Sequence, residues 1–224
     1  FLSPAQQVQA MDLLHAAGIP ETAYVRWGGY DGAERVVLQF LPDWIEPEDA
    51  AAYSPIRCLR AGFRGEEKLT HRDFLGSLMG MGIVREKIGD ILVGPESADL
   101  MVLDTVADFL AQSWESAGRA KLRVAEIDPG CVHIPEIHFE ERRDTVSSLR
   151  LDAVLSAMLH VSRGTAAELI EAGRVEINHL PVSSAHAPVY ESDVFTVRGK
   201  GRFCLTALPG KSKKDRQIIE FFQY

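Results

Sequence analysis

The chain has 224 residues, 46% of them hydrophobic and 25% charged, and a net charge of −8. That composition is ordinary for a globular protein of two or three small domains. It contains no apolar run near the roughly 20 residues of a membrane-spanning helix. The cysteines Cys58, Cys131 and Cys204 are far apart and form no CxxC pair. They read as reduced thiols, against a disulfide scaffold and in favour of the cytoplasm. The start shows no secretory pattern, and a first residue of Phe1 rather than Met implies that residues have been lost upstream.

Ser3-Pro4 followed by Gln6 reads as a helix start. Val8, Met11, Leu13 and Leu14 give that helix an apolar side, and Gly18 ends it. Gly28 to Gly32 reads as a tight turn and Arg35 to Phe40 as a strand, before an acidic connection from Pro42 to Tyr53. From Pro55 the pattern is strand (Ile56 to Phe63), helix (capped by Thr70, through Phe74, Leu75, Leu78 and Met79), strand (Asp90 to Val93), strand (Leu100 to Leu103), helix (Val106 to Ser116) and strand (Leu122 to Ile127). This βαββαβ order is ferredoxin-like, the arrangement also used by RRM domains. An RRM stacks bases on aromatic residues of its central strands. Those strands offer only Phe63 here, so RRM-style stacking is rejected. Arg72, Arg85 and Lys87, with His71, are a candidate RNA-contact patch instead, although capping of helices and pairing with Asp73, Glu86 and Asp90 is the simpler reading of them.

After Asp128-Pro129-Gly130 and the charged stretch from His138 to Asp144, Leu151, Val154, Leu155, Met158 and Leu159 recur at helical spacing. Ser162 is a good N-cap for a second helix whose inner face is Ala166, Leu169 and Ile170, and Gly173 suits its left-handed end. Val175 and Ile177 alternate with Glu176 and Asn178, as do Phe195 and Val197, then Phe203 and Leu205, around Gly199-Lys200-Gly201. Two short helices on a small sheet result. Arg150 and Arg163 stand at the helix starts, and Arg174, Arg198, Lys200 and Arg202 at strand ends and turns.

Charge is uneven. Residues 1–149 hold 14 Lys/Arg against 24 Asp/Glu, and residues 150–224 hold 10 against 8. An acidic body with a mildly basic end fits a protein that needs a structured partner, not a non-specific RNA coat. Lys211 to Arg216, with Lys213, Lys214 and Arg216, reads as a basic C-terminal tail, either solvated or a further RNA contact.

The ordered set Arg150-Leu151-Asp152, Ser162-Arg163, Gly173-Arg174-Val175, Asn178, Pro181, Asp193 and Val197 to Arg202 resembles the S4 domain, a small RNA-binding module. The resemblance implies that Arg150, Ser162, Arg163, Arg174, Asn178, Arg198, Lys200 and Arg202 face RNA and that Asp152 orients the neighbouring arginines. Gly164-Thr165, Glu176 and His179-Leu180 stand where S4 domains often carry basic residues, which weakens the expected affinity.

Phe1 to Pro4, Gly28-Gly29-Tyr30 with Ala33-Glu34-Arg35, Leu69 to Gly76 and Gly82 to Ile91 precede the S4 motif. Together these stretches resemble the YlmH family of bacterial S4-domain proteins, which has a related cyanobacterial and plastid branch. With the element order above, the chain reads as an α+β fold in three parts: a small N-terminal α/β domain at 1–54, a central ferredoxin-like domain at 55–128, and, after a linker at 129–143, the segment 144–224 that resembles an S4 (αL-type) RNA-binding domain. The family resemblance implies a non-enzymatic cytoplasmic factor without cofactor, small-molecule substrate or membrane. Its partners would be the large ribosomal subunit, its rRNA and tRNA, in ribosome-associated quality control.

The chemistry of a catalyst is missing from the sequence. Cys131, His133 and His138 lack the second Cys/His pair that zinc would want. Thr70-His71-Arg72-Asp73 has the letters of a kinase catalytic loop without its phosphate loop, and no P-loop or GxSxG occurs. Two other readings remain at this point: an RNA-modifying enzyme of pseudouridine synthase or methyltransferase type, and a protein-binding adaptor with weakened RNA affinity.

Overall fold

The computed structural model describes residues 1–64, 68–135 and 141–224. The chain divides into two compact units, Phe1–Pro135 and Glu136–Tyr224.

In the first unit, α1 (Pro4–Ala16) opens with a capping box: the Ser3 hydroxyl accepts from Gln6 N–H, and the Gln6 side chain accepts from Ser3 N–H. Only Leu14 of this helix is buried; Val8 and Leu13, expected on an apolar side, are exposed. A hairpin follows, β1 (Tyr24–Trp27) with β2 (Val37–Phe40). β1 adds to the expected elements, since four residues are too few for a period-two pattern.

Next come β3 (Ile56–Gly62), α2 (His71–Gly80), β4 (Ile88–Val93), β5 (Ser97–Leu103), α3 (Asp104–Ser113), a small hairpin β6 (Ser116–Ala117) with β7 (Ala120–Lys121), and β8 (Arg123–Ile127). The sheet runs β4-β5-β3-β8 with every neighbour antiparallel, as the ferredoxin-like reading requires. Alternation along its strands splits the residues between two faces. Leu59, Ala61, Leu100 and Val102 pack under Phe74, Leu78, Val106 and Leu110 of the helices.

The opposite face is also covered. Ile56, Cys58 and Met101 pack beneath Phe1, Trp27, Tyr30 and Val37. Two glycines allow this close approach. A Cβ on Gly29, which holds φ +99°, would lie 2.6 Å from Met101 Cγ, and one on Gly89 would lie 2.7 Å from the Phe1 ring. Asp90 fastens the covering segment by accepting from Tyr30 Oη (2.9 Å), Glu34 N–H (2.6 Å) and Arg35 N–H (3.2 Å). The surface that an RRM keeps open for bases is filled here by the chain's own first residues, and segments 1–54 and 55–128 share one unit.

The second unit holds β9 (Arg142–Val146), α4 (Leu151–Leu159), α5 (Arg163–Glu171), β10 (Val175–Ile177), β11 (Leu180–Pro181), β12 (Val194–Val197), β13 (Gly201–Lys211) and β14 (Gln217–Gln223). Its sheet runs β11-β10-β12-β13-β14-β9 and is antiparallel throughout. Leu151, Val154, Leu155 and Met158 of α4 and Ala166 and Ile170 of α5 pack on Val175, Phe195, Val197, Phe203, Leu205 and Phe221.

Two expectations change. Arg142 and Arg143, placed in a linker, begin β9. Lys211 to Arg216 is the turn joining β13 to β14 and not a tail, because β14 returns to pair with β9. His138, weighed as a metal ligand, lies outside the described residues. Among those described, no three His, Cys, Asp or Glu side chains converge as a metal site would require, and no helix is long and apolar enough to cross a membrane.

Candidate nucleic-acid interface

An acid stands between two of the arginines that the sequence singles out. Asp152, in the first turn of α4, is buried to 5% exposure. Arg150 grips it with two bonds, Nε to Oδ1 at 3.1 Å and Nη2 to Oδ2 at 3.0 Å. Arg163, the first residue of α5, donates Nη2 to the same Oδ2 at 2.6 Å. Burial works to raise the Asp152 pKa, but the hydrogen bonds and charges of Arg163 and Arg150 outweigh it and hold the carboxyl below its ordinary value. The aspartate therefore stays ionised, and the two side chains it orients remain 38% and 48% exposed.

Local structure brings these residues together. α4 ends at His160 in the left-handed conformation, with φ 52°. Ser156 Oγ donates to Val161 O at 2.6 Å, tightening the corner. Ser162 then caps α5 by accepting from Thr165 N–H at 3.0 Å. Ser162 is thus occupied with its own helix. The N-terminus of α4 is held by the loop before β12, where Leu151 N–H donates to Ala187 O (2.9 Å) and Asp152 N–H to Ala185 O (3.0 Å). His186 of that loop bonds Arg150 through Nδ1. Nothing in the spacing of the sequence marks His186; only the fold brings it there.

A second group sits where α5 enters β10. Arg198 N–H donates to Arg174 O, and Arg174 Nη2 donates to Arg198 O, each at 2.9 Å. Gly199, with φ +79°, lets the Arg174 side chain lie across the turn. Lys200 is exposed on that turn. Arg202 stacks its guanidinium on Tyr224, 4.6 Å from the ring centroid. Among the described residues, no hydrogen bond or ion pair joins Arg174, Arg198 or Lys200 to Arg150 and Arg163.

Asn178 has a different task. It and His179 form the two-residue turn between β10 and β11 with φ of 49° and 67°. Its Nδ2 donates to buried Asp193 at 2.8 Å, and its Oδ1 accepts from Val194 N–H at 2.9 Å. Both ends of the amide serve the fold.

The secondary positions also divide. Arg85 is turned inward, donating Nη1 to Ile88 O (2.7 Å) and Gly89 O (3.1 Å). Burial, then the nearby Arg35 charge, lowers its pKa. It braces a turn and is no free surface cation. Arg72 is exposed and Lys87 half-buried. Arg216 is pinned to β9, donating to Thr145 Oγ1 (3.0 Å) and Thr145 O (2.5 Å). It lines, with Arg163, a hollow of about 240 Å³. Lys213 and Lys214 are exposed at the hairpin turn.

The family comparisons agree with this geometry. A model of the S4 domain matches residues 149–195, the helical hairpin and first strands that carry Asp152 and its arginines. A model described as "Putative RNA-binding domain in YlmH" matches residues 66–129. "Ribosome-associated protein quality control protein P2" of Bacillus subtilis (strain 168) is 37% identical over 224 residues, covering 99% of this chain and 84% of that protein. The chain belongs to the YlmH family. A solved structure, "Cell division protein ylmH from Streptococcus pneumoniae", is 23% identical with a TM-score of 0.44 and covers 57% of this chain and 75% of its own. Like its family, the chain carries an S4 domain, an RNA-binding module.

Proposed function

We propose that the protein is a non-catalytic factor that docks on structured RNA of the large ribosomal subunit through its S4 domain and acts in ribosome-associated quality control. The carrying observation is the Arg150–Asp152–Arg163 cluster. One ionised carboxylate orients two guanidinium groups while leaving each partly exposed. Each guanidinium has five N–H donors in a planar fork suited to phosphate oxygens. The N-terminus of α5 favours an anion at the same place. Arg174, Arg198, Lys200 and Arg202 extend the contact along the β12–β13 turn. The B. subtilis relative's name supports the ribosomal setting.

The test is co-sedimentation with purified large subunits, with and without peptidyl-tRNA, at two salt concentrations. Wild type should pellet with the subunit, and an Arg150→Glu, Arg163→Glu double variant should stay in the supernatant. Equal pelleting of the two would place the contact elsewhere and overturn the assignment. Failure of both to pellet would leave the S4 surface without a ribosomal role.

A further inference from the structure

The first unit lies in the acidic part of the chain, yet it contains a cleft of about 790 Å³ lined by Arg64, Arg119, Lys121 and Arg123, with Phe63 in its wall. No carboxylate lines this cleft among the described residues. All four basic side chains are exposed, and among the described residues none has a hydrogen-bond or ion-pair partner. Four other arginines of the unit are engaged: Arg57 by Asp108 and Glu126, Arg60 by Asp99, and Arg35 and Arg85 by backbone carbonyls.

The arrangement follows from the sequence. In Arg119-Ala120-Lys121-Leu122-Arg123 basic and apolar residues alternate. Ala120 is buried against Ala117, its partner across the β6–β7 hairpin. Leu122 and Val124 pack on the helix-side core. Arg119 in the β6–β7 turn, Lys121 at the end of β7 and Arg123 at the start of β8 are left exposed between these buried residues. Gly118 makes the tight turn before them at φ +55°. Gly62 pairs with Arg123 in register, so the chain leaving β3 brings Phe63 and Arg64 to the same end of the sheet. Phe63 is fixed by its ring contact with Phe74, 5.8 Å between centroids.

Four like charges gathered without compensation among the described residues repel one another and focus a positive potential in a concave site. A cationic groove with an aromatic wall is how sequence-tolerant proteins hold single strands. The volume is that of a small-ligand pocket, suited to a few nucleotides and not to the side of a duplex.

We propose that this cleft is a second RNA contact, holding the phosphodiester backbone of a single-stranded segment on Arg64, Arg119, Lys121 and Arg123 against Phe63. The inference rests on the proposed RNA-binding function and carries it from the S4 domain to the other unit. It also gives a location to the RNA-binding activity for which the model spanning residues 66–129 is named.

The experiment is fluorescence anisotropy of the full chain with a labelled oligouridine of about 12 nucleotides, across a salt series. It compares wild type, Arg119→Ala with Lys121→Ala, and Arg150→Glu with Arg163→Glu. Tryptophan fluorescence verifies the fold of the cleft variant, since Trp27, Trp44 and Trp114 all lie in the first unit. Removing two phosphate contacts should weaken binding about tenfold at low salt and make the log–log salt slope shallower by roughly 1.4. Unchanged affinity and slope in the cleft variant would overturn the cleft, and a loss in the S4 variant alone would leave the S4 reading standing. Loss in the cleft variant with wild-type behaviour of the S4 variant would support the cleft and place single-strand binding there alone, leaving docking on structured RNA to the co-sedimentation test. Failure of wild type to bind the probe would overturn the cleft as well. So would displacement of the RNA by polyglutamate of matched charge as readily as by unlabelled RNA, which would make the cleft a site for acidic peptides.

Discussion

Asp99 in the first unit and Asp152 in the second are buried to 1% and 5% exposure, and each is gripped by the Nε and Nη2 of one arginine. What else each carboxylate holds separates them. Asp99 accepts a backbone bond from His133 N–H at 2.7 Å, and its arginine, Arg60, donates onward to Cys131 O at 2.7 Å. The pair is neutral, and its bonds strap residues 131–133 to the sheet. Asp152 instead accepts from a second arginine, Arg163. That cluster carries a net positive charge and displays donors it does not use internally. The same bidentate chemistry closes one unit and, in the other, leaves two guanidinium groups partly exposed, arming it for the RNA contact proposed above.

The largest effect should come from the closing pair. Asp99→Ala leaves Arg60 without its anion and His133 N–H without its acceptor. Removing one partner of a buried pair costs several kcal/mol, less here because Arg60 is 36% exposed; about 2–3 kcal/mol is expected. Urea unfolding followed by tryptophan emission reads this in the first unit alone, with buried Trp114 as the main reporter. Hydrogen exchange in α4 and α5 should not change. A shift of α4 exchange together with the emission midpoint would show that the two aspartates do not act in separate units.

Asp152→Asn tests the arming cluster. It should cost less stability than Asp99→Ala, since asparagine keeps the side-chain volume and one acceptor oxygen for the arginines, but it should weaken large-subunit binding about tenfold, or roughly 1.4 kcal/mol, by freeing two guanidinium groups to wander. Acid should mimic it in the wild type. The Asp152 pKa is depressed in the folded state, so its contribution is fully present above the ordinary carboxylate value and is lost as pH falls through the lower folded value. Amide exchange in α4 and α5, taken relative to the intrinsic rate at each pH, should therefore stay flat from neutrality down to that ordinary value, then rise. Asp152→Asn should remove its share of that rise. Unchanged subunit affinity in Asp152→Asn would mean that orientation of Arg150 and Arg163 contributes nothing to docking.

How far these roles could be read from residues alone differs by region. In the second unit the helical faces, the Ser162 cap and the alternation at Val175, Phe195 and Phe203 are local patterns, and the structure repeats them. β14 was hidden because Ile218-Ile219 and Phe221-Phe222 double the apolar residues and blur period two. Its partner β9 lies far earlier in the chain, as the Arg216–Thr145 bond spanning 71 positions shows. In the first unit the βαββαβ order was legible from short-range pattern. The filling of its second face depends on Phe1, Trp27 and Tyr30 meeting Met101 and Ile56, which no window of sequence contains. Arg85 teaches the same lesson at one residue: a charge beside a turn does not reveal whether its donors point to carbonyls or to water.

Asn178 is the finest division between holding the fold and holding RNA. By resemblance it faces RNA; in the structure its amide ties the β10–β11 turn to Asp193 and Val194. Asn178→Ala removes both bonds. It leaves Asp193, only 7% exposed, without the Asn178 donor, although Tyr190 N–H still donates to it at 2.8 Å. It also places a residue less suited than asparagine at a left-handed φ of 49°. Together these should cost about 1–2 kcal/mol. Exchange of the Val194 and Tyr190 amides should accelerate, while large-subunit affinity should stay within about twofold of wild type, well below the factor of ten that corresponds to 1.4 kcal/mol. The opposite result, a tenfold loss of affinity with unchanged exchange, would make Asn178 an RNA contact and move the docking surface toward the β10–β11 turn.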